Sequence, residues 1–386
     1  MTILVVGTAI VSHGRVLAAR RAYPAAAAGR WELPGGKAHD REPLEVAAVR
    51  EVREELGCAV EVVRPMEGIS RISDELDLVV QLARLVEGEP VPSEHDAVRW
   101  LAPEELDDVD WLPSDRPFLP ELRDLLLAGE PLVGGNVGGA VRIGPTVRRL
   151  TGPWTPAVHA LLEHLSAAGL AAAPRVLGLD ERGREVLTYL PGRVIDIDAE
   201  RPSEPAVVDA IKWLRHYHRA VADFDHPGPW RNAPTATLEP GDGSSGRPAL
   251  ICHHDLAPYN VAISSSGDGD RVVGVFDWDM AGPGTPLQDL GFAAWNWVPL
   301  YRPLPTAEVA ARLRLMAAAY GDGVSPREIL VAVVPRIERS IRVITAGQQA
   351  GDPGMLNLGR IGEPAATAAS LDGLRSRIPD IEQELT

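Results

Sequence analysis

The sequence is poor in lysine and cysteine, with two of each among 386 residues. Two cysteines, Cys58 and Cys252, cannot build a disulfide framework, so we expect a reducing compartment, the cytoplasm. Basic residues are outnumbered, 38 against 54 acidic residues, for a formal net charge of −16. We expect no nucleic-acid polymer as a partner, because binding its phosphates needs surplus positive charge. No apolar run approaches the roughly 18 residues of a membrane span, so no membrane partner is expected.

What remains is the composition of a soluble globular protein, with 45% hydrophobic and 24% charged residues. A chain of 386 residues is too long for one ordinary domain. Glycine and proline are concentrated in residues 129–139, which indicates a connection between domains. We therefore predict a first domain at 1–128, a linker at 129–135 and a second domain at 136–386.

Three local segments have readable patterns. The apolar N-terminus, residues 1–11, has no basic flank or cleavage site, which favours a first β-strand over a signal peptide. The stretches 239–248 and 264–270 are rich in glycine and polar residues and predict loops. The second lies between apolar runs and predicts a hairpin turn.

A carboxylate-rich helix is predicted after a turn at residues 34–36. Pro43 suits the first turn of this helix, and Gly57 suits its end. Apolar residues recur at three- or four-residue spacing and predict one buried stripe: Val46, Val49, Val52 and Leu56. Another face brings together the carboxylates of Glu51, Glu54 and Glu55. Arg50, one turn before Glu54, can orient that carboxylate.

Three clustered carboxylates repel one another unless a cation lies between them. Hard divalent cations prefer oxygen ligands, and Mg²⁺ held this way can also bind substrate phosphates. This setting suits attack by water on a phosphoanhydride. The alternative is a solvated face of an amphipathic helix, stabilised by Arg–Glu pairs.

The full spacing favours the metal site. Five residues separate Gly36 from Glu42, and seven separate Glu42 from the pair Arg50-Glu51. Val52 follows, and then Glu54-Glu55 and Gly57, each after one intervening residue. With residues 31–37 (WELPGGK) before the helix, the segment resembles the MutT-type Nudix hydrolases over residues 2–128. The resemblance implies an α/β/α sandwich and catalysis by Glu54, Glu51 and Arg50. It implies Mg²⁺, with Mn²⁺ as an alternative, on Gly35, Glu51, Glu54 and Glu55. The implied reaction converts a nucleoside triphosphate to the monophosphate and pyrophosphate.

Further candidates lie outside this motif. Arg21 and Lys37 are candidates for binding the substrate, although Arg21 is equally well explained as a surface arginine. Glu94 lies where MutT-type enzymes often carry a further loop carboxylate, which implies a metal ligand or base. Asp115, in a stretch that resembles the base pocket of the family, could accept a hydrogen bond from an exocyclic amine. A helix N-cap at Ser114 or Asp115 explains that stretch equally well.

A second motif follows in the other half of the chain. His253, Asp255 and Asn260 have the spacing H-x-D-x₄-N, and Asp277 follows 17 residues after Asn260. Phosphoryl transfer to a hydroxyl needs a base near the acceptor and oxygen ligands that hold Mg²⁺ against a triphosphate. The motif therefore predicts a kinase-like catalytic loop, with Asp289-Leu-Gly-Phe shortly after it.

Residues 136–386 resemble the aminoglycoside/choline-kinase-like phosphotransferases, in particular a trifolitoxin-immunity-like subgroup. The supporting stretches include residues 134–137, 146–149 and 183–192. The resemblance implies a bilobal kinase-like fold with a shortened N-lobe at about 136–192 and a C-lobe at about 193–386. It implies Asp255 as the catalytic base, Asn260 and Asp277 as metal ligands, ATP as cofactor and a small-molecule phosphate acceptor. Residues 188–190 would contact the nucleotide base.

This part departs from the kinase pattern at the residue that holds the phosphates. Kinases use a lysine on their third strand, paired with a helix glutamate, and residues 136–192 contain no lysine. Arg148 or Arg149 could replace it, and we select Arg148, although a guanidinium is larger and planar. Glu163 is the only glutamate in residues 154–163, and lies late for the helix partner. The glycine loop also lacks a clear G-x-G-x-x-G pattern.

Three functions follow from these patterns. The first is a Mg²⁺-dependent Nudix hydrolase of nucleoside triphosphates, oxidised or cytidine-type among them, fused to a phosphotransferase-like domain. The second is a small-molecule or antibiotic kinase with an accessory Nudix domain. The third is an immunity-type module that binds a ligand and regulates the Nudix domain.

Overall fold

A computed structural model describes residues 2–132, 139–231, 250–266 and 269–386. The glycine-rich stretch at 134–137 and the predicted loop at 239–248 lie outside these residues. The described residues form two compact units, which divide the chain between Arg148 and Arg149. Within these ranges, no helix has the length and apolar character needed to cross a bilayer.

The first unit, residues 2–132 and 140–148, is built on a mixed eight-stranded sheet. In chain order its elements are β1 (Ile3–Ser12), β2 (Arg15–Arg21), β3 (Trp31–Glu32), β4 (Gly35–Lys37), α1 (Leu44–Leu56), β5 (Ala59–Pro65), β6 (Ser70–Arg71), β7 (Leu76–Glu87), β8 (His95–Leu101) and α2 (Leu119–Ala128). Short 3₁₀ turns lie at Pro103–Glu105 and Arg116–Phe118. A small antiparallel group follows, made of β9 (Glu130–Pro131), β10 (Val141–Ile143) and β11 (Thr146–Arg149). All of this group except Arg149 belongs to the first unit, and the domain boundaries at 128 and 136 stay predictions.

The sheet lies between two helices. Strand β1, the predicted first strand, is central, with β7 parallel to it and β2 and β4 antiparallel. Side chains alternate along β1, so Val6 and Ile10 pack in the clusters that include α1, whereas Ala9 packs in the cluster that includes α2. The predicted α/β/α sandwich is confirmed.

The buried side of α1 differs from the predicted stripe. Val52 and Leu56 are buried, but Val46 and Val49 are 53% and 38% exposed. Ala47 and Ala48 take their place against the sheet. Two small side chains let the helix approach the sheet closely, so the prediction was wrong for the two valines. The helix ends as predicted at Gly57, which adopts the left-handed conformation (φ 66°).

The second unit contains most of the helices. In chain order its elements are α3 (Thr155–Ala167), β12 (Val176–Leu179), β13 (Glu185–Thr188), β14 (Arg193–Val194), α4 (Glu204–Ala220), β15 (Leu250–Cys252), β16 (Val261–Ser266), β17 (Gly269–Val275), β18 (Gly282–Gly284), α5 (Pro286–Trp297), α6 (Thr306–Tyr320), α7 (Pro326–Gln349), α8 (Pro353–Arg360) and α9 (Ala365–Leu385). Short 3₁₀ turns lie at Pro258–Asn260 and Trp278–Met280.

This unit has the predicted bilobal kinase-like organisation. A small part contains α3 and the β12–β13 hairpin, and a larger helical part packs α5 on α7 and α4 on α6. The β16–β17 hairpin, predicted around residues 264–270, is confirmed by its antiparallel register. One continuous core, centred on the buried side chains of Trp278, Trp297 and Tyr217, joins the helices to this hairpin. The catalytic-loop motif leads into the hairpin, and Asp277 follows it.

Candidate active site

The glycine strand β4 and helix α1 form the carboxylate site of the first unit. The Gly35 N–H donates to Glu55 Oε2 at 2.9 Å. Gly36 lies under Glu51, because a Cβ atom on Gly36 would lie 2.5 Å from Glu51 Oε2. The two glycines therefore bring the main chain against two of the three predicted carboxylates.

Arg50 is the cation that organises this site. Its Nε and Nη2 donate to Glu42 at 2.9 and 2.8 Å, and its Nη1 donates to Glu51 at 2.7 Å and to Glu54 at 3.3 Å. These hydrogen bonds, that to Glu42 foremost, raise the pKa of Arg50. The same contact and the His39 N–H lower the pKa of Glu42 to about 2. One side chain thus fixes the orientation of three carboxylates through charge-assisted hydrogen bonds.

Glu55 is the buried member of the cluster. Burial raises the pKa of Glu55 to about 7, against the opposing effects of His95 and the Gly35 N–H. Glu54 is different, since its side chain is 60% exposed. The helix therefore presents one carboxyl to solvent and one to the protein interior.

A small polar pocket adjoins Glu55. It is lined by Arg21, Tyr23, Glu32, Glu55, Glu94 and His95. The loop that carries Glu94 is fixed to the end of α1, because Ser93 Oγ donates to the carbonyls of Glu54 and Glu55 at 3.0 and 2.9 Å. The predicted loop carboxylate is thus brought to the predicted metal ligands.

Three residues of this pocket, Tyr23, Glu32 and His95, were missed by the sequence reasoning. Glu32 accepts from Arg21 at 2.7 Å and contacts His95 Nε2 at 3.0 Å. Burial lowers the pKa of His95, but the hydrogen bond with Glu32 and the charges of Glu55 and Glu32 together outweigh that effect, and the net pKa is raised. Glu32 lies within the WELPGGK stretch and His95 follows Glu94, and these positions were the available signals.

Lys37 and Asp115 do not reach the carboxylate cluster. The side chain of Lys37 is exposed, and its carbonyl accepts from Arg50 at 3.2 Å. Asp115 is buried and accepts from the Leu33 N–H at 2.9 Å and from Ser114 Oγ at 3.0 Å. Asp115 takes the N-cap position of a 3₁₀ turn without capping it through its side chain. Burial raises the pKa of Asp115 to about 7, so near neutral pH it can hold a proton to donate.

The residues of this site fit a hard divalent cation. Glu51, Glu54, Glu55 and Glu94 offer an all-oxygen donor set, which suits Mg²⁺ or Mn²⁺. The raised pKa of Glu55 shows that ionisation there is costly without a nearby positive charge. A cation at the cluster would remove that cost.

In the second unit, Asp255 and Asn260 face each other across the predicted catalytic loop. Asn260 Nδ2 donates to the main-chain oxygen of Asp255 at 3.0 Å and to its carboxylate at 2.9 Å. Burial, with the nearby charge of Asp277, raises the pKa of Asp255 well above its usual value. Asp277 adopts a left-handed conformation (φ 61°) directly after β17. These oxygens fit the Mg²⁺ and ATP that the phosphotransferase resemblance implies.

Asp289 fixes the start of the catalytic loop through hydrogen bonds. Its carboxylate accepts from the main-chain N–H groups of His253 and His254 at 3.0 and 2.7 Å, and from His218 Nε2 at 2.9 Å. Burial opposes the charged form of Asp289, but these partners outweigh it and lower its pKa. His218, Cys252 and Asp289 lie close enough to hold a metal ion. The hydrogen bonds give Asp289 a structural role instead.

The contacts favour Arg149 over Arg148 as the substitute for the kinase lysine. Arg148 is buried and pairs with Glu104 at 2.6 Å and with Thr146. The choice of Arg148 is therefore corrected, because successive side chains of a strand point to opposite faces. Arg149 Nη2 lies 2.9 Å from Asp277 Oδ1. Glu163, the uncertain helix partner, is exposed.

Comparison with known proteins agrees with this geometry. A family profile described as "NUDIX domain" matches residues 2–122. A Mycobacterium tuberculosis protein, named as a candidate 8-oxo-dGTP diphosphatase, is 41% identical over 125 residues, which are 31% of this chain and 86% of that protein. The chain belongs to the Nudix family. As a Nudix hydrolase it acts on phosphoanhydrides, as the motif at residues 36–57 predicted. The CTP pyrophosphohydrolase of Escherichia coli is 33% identical over 30% of this chain and 87% of its own length.

The second half of this Nudix protein matches a different family. A profile described as "Phosphotransferase enzyme family" matches residues 233–323. The trifolitoxin immunity protein of Rhizobium leguminosarum bv. trifolii is 36% identical over 174 residues, which are 44% of this chain. The chain spans 62% of the length of that relative. The predicted fusion of a Nudix domain with a phosphotransferase-family domain is confirmed.

Proposed function

We propose that the first unit hydrolyses a nucleoside or deoxynucleoside triphosphate to the monophosphate and pyrophosphate, with Mg²⁺ as its metal and Mn²⁺ as an alternative. The observation that carries this proposal is the placement of the carboxylates. Glu51 and Glu55 lie against the glycine strand, Arg50 joins Glu54 to Glu51, and Glu94 lines one pocket with Glu55. Glu51, Glu54, Glu55 and Glu94 would hold the metal. The main-chain carbonyl of Gly35 is a further ligand implied by the Nudix resemblance.

A bound divalent cation supplies positive charge for the phosphate oxygens and polarises the attacking water. Residues of the protein orient the carboxylates and accept the proton. Arg50 fixes the orientations of Glu51 and Glu54. We assign Glu54 as the group that takes the proton from the water, because its carboxylate is more exposed than those of Glu51 and Glu55 on the same helix. The Gly35 N–H keeps Glu55 turned toward β4.

The substrate class follows from the pocket and from the relatives. The guanidinium of Arg21 beside Glu94 offers a positive group to a phosphate or a base. Asp115 stays a predicted contact for the base, although its carboxyl is buried and already accepts from the Leu33 N–H and Ser114 Oγ. Lys37 is exposed and stays the second predicted cation for a substrate phosphate. Relatives named for 8-oxo-dGTP and for CTP support nucleoside triphosphates as a class, with oxidised purines and cytidine nucleotides as its first members to test.

The test is an end-product assay. The full chain with Mg²⁺ is given normal and oxidised nucleoside triphosphates, and the products are separated. We expect monophosphate plus pyrophosphate, with turnover reduced roughly 10²-fold or more in Glu54→Gln. Glu45→Gln, an exposed position on the same helix, is the matched control and should keep full activity. Diphosphate plus phosphate, or equal turnover in Glu54→Gln, would contradict the proposal.

A second candidate function belongs to the second unit. Asp255, Asn260 and Asp277 together support an ATP-dependent phosphotransferase that acts on a small molecule, with Asp255 as the base and the other two as metal ligands. The match to an immunity protein supports a ligand-binding role as well. Incubation of the full chain with ATP labelled in the γ-phosphate and a panel of hydroxyl-bearing small molecules separates them. Label transfer that Asp255→Asn abolishes indicates a kinase, and its absence favours the ligand-binding role.

A further inference from the structure

We propose that Arg149 holds the triphosphate of a nucleotide in the second unit, and that Glu185 is the acid that positions it. The inference rests on the ATP site proposed above for this unit. The proposed arrangement differs from that of kinases in two respects. The cation is an arginine instead of a lysine, and its acid lies on a strand instead of a helix.

The position of Arg149 is fixed by three carboxylates. Its Nη2 lies 2.9 Å from Asp277 Oδ1 and 3.0 Å from Asp279 Oδ2, and its Nη1 lies 3.4 Å from Glu185 Oε1. The guanidinium is largely buried, at 12% exposure. An arginine side chain stays protonated in proteins, so the charge is retained in this buried position. It therefore presents a permanent positive charge at the residue predicted to bind metal.

Glu185 takes the place of the missing helix acid. It lies on β13, not on α3, and its carboxylate is 3% exposed. The helix contributes His159 instead, whose Nε2 lies 2.9 Å from Glu185 Oε2. Helix and cation are thus joined through the strand acid. The acid that contacts Arg149 therefore lies on β13, and no glutamate of α3 takes that role.

The shape of the guanidinium suits this arrangement. An arginine carries five N–H donors in a planar fork, so it can keep Glu185 on one side while another edge meets an anion. A lysine ammonium is a compact point charge that reaches fewer partners at once. Of the two acids, Asp277 is the accessible one, because 31% of its side chain is exposed against 3% for Glu185. Phosphate oxygens arriving at Asp277 would meet Arg149 there.

Asp279 has a separate positioning role. Two arginines share its Oδ2, with Arg149 Nη2 at 3.0 Å and Arg231 Nη1 at 3.4 Å. Arg231 also pairs with Asp352 at 2.9 Å, and its guanidinium lies 4.4 Å from the ring centroid of Trp154. Asp279 is therefore occupied by the protein. Asp277 remains the carboxylate with an exposed side for a metal.

The experiment measures nucleotide binding and not catalysis. The full chain carries Glu54→Gln to prevent hydrolysis by the first unit, and amide hydrogen exchange is followed in residues 250–266 and 269–285. Protection is titrated with ATP plus Mg²⁺ and, separately, with adenosine, which has no phosphate. The variants are Arg149→Gln, Arg149→Lys and Glu185→Gln, with the exposed Arg271→Gln as control.

We expect ATP to bind more tightly than adenosine. Arg149→Gln should weaken ATP binding about ten- to a hundredfold and leave adenosine binding unchanged, because a charge-assisted contact to phosphate is lost. Glu185→Gln should give a smaller loss with the same selectivity, and Arg149→Lys should recover part of the affinity. Arg271→Gln should behave as the parent protein.

Three results would overturn the inference. An unchanged ratio of ATP to adenosine affinity in a folded Arg149→Gln protein removes the phosphate role. If that variant does not fold, equal loss of both ligands in Arg149→Lys and Glu185→Gln indicates a purely structural ion pair. If neither ligand protects these residues in the parent chain, the proposed ATP site itself is absent, and that outcome is distinct from the other two.

Discussion

A Cβ atom added to Gly36 would lie 2.5 Å from Oε2 of Glu51 and 2.7 Å from its Oε1. The carboxylate therefore rests directly on the main chain of β4, in space that any other residue would fill. Gly36 has no positive φ, so the requirement comes from the glutamate and not from the backbone conformation. The contact with Glu51, a predicted metal ligand, thus explains why this position of the Nudix motif is a glycine.

Gly36→Ala should therefore reduce hydrolysis without unfolding the protein. The methyl group displaces the end of a flexible side chain, and a displacement near 1 Å at a catalytic group costs roughly a hundredfold in rate. We expect the free energy of unfolding to change by less than about 1 kcal/mol. Turnover and thermal denaturation measured on the same samples check this. Gly373→Ala is the control, since nothing lies within 4 Å of its added Cβ. A large loss of stability in Gly36→Ala would show that the glycine is needed for folding.

Arg50→Ala should be more harmful than Arg53→Ala on the same helix. Arg50 contacts Glu42, Glu51 and Glu54, whereas the side chain of Arg53 is exposed. Without Arg50 the carboxylates repel one another and lose their orientation, so we expect turnover to fall roughly a hundredfold. Added Mg²⁺ should restore part of the rate, because the cation replaces the missing charge. Equal rates for the two variants would show that Arg50 does not organise the site.

Glu55 gives the metal-free protein a pH-dependent stability. Its pKa is raised from 4.5 to about 7, so the folded state binds the proton more tightly than the unfolded state. The associated stability is fully present below pH 4.5 and is lost as the pH rises through about 7. A shift of one pKa unit corresponds to about 1.4 kcal/mol, so a contribution of the order of 2–3 kcal/mol is expected for this mostly buried group.

Urea denaturation in EDTA between pH 4.5 and pH 8 measures this effect. The Glu55→Gln protein should lose less stability over this range than the parent chain, because glutamine keeps an acceptor for the Gly35 N–H and does not titrate. Asp115 contributes in the same direction, since its pKa is also raised to about 7, and it serves as an internal reference in both proteins. Identical pH profiles for the two proteins would contradict the raised pKa.

The sequence predicts this site well because its residues are close along the chain. One helix and one preceding turn bring Gly36, Arg50 and Glu55 together, so spacing alone is informative. The side of α1 that faces the sheet was harder to predict. Val46 and Val49 outrank alanine in hydrophobicity, and only contact with the sheet shows that Ala47 and Ala48 face it.

The second unit shows the opposite case. Arg149 and Asp277 are 128 positions apart, and the pairing depends on which face of β11 an arginine occupies. A two-residue choice on a short strand cannot be made from periodicity, and Glu185 belongs to a strand that carries no motif. Tertiary contacts of this kind are invisible to a search for local patterns. The catalytic-loop spacing, by contrast, was readable.

Asp289→Ala should destabilise the catalytic loop of the second unit. The carboxylate accepts from two main-chain N–H groups and from His218, so its removal leaves buried donors unpaired. A loss of about 3–5 kcal/mol is expected for breaking a buried, charged group of this kind. Hydrogen exchange at the amides of His253 and His254 reports it locally. The control is Asp223→Ala, at a carboxylate that is mostly exposed. Unchanged exchange would mean that water replaces the lost acceptor.

The two catalytic sets should work independently. Glu54 is held by Arg50 within the first unit, and Asp255 is held by Asn260 within the second. We therefore expect Glu54→Gln to abolish pyrophosphate release and Asp255→Ala to leave it within about twofold of the parent rate, because neither carboxylate takes part in the chemistry of the other set. The double variant should match Glu54→Gln alone. Both rates are read from the same pyrophosphate assay, with folding checked by thermal denaturation. A folded Asp255→Ala protein that no longer releases pyrophosphate would show that hydrolysis needs the second unit, and the ligand-binding role would then be the one that regulates the first.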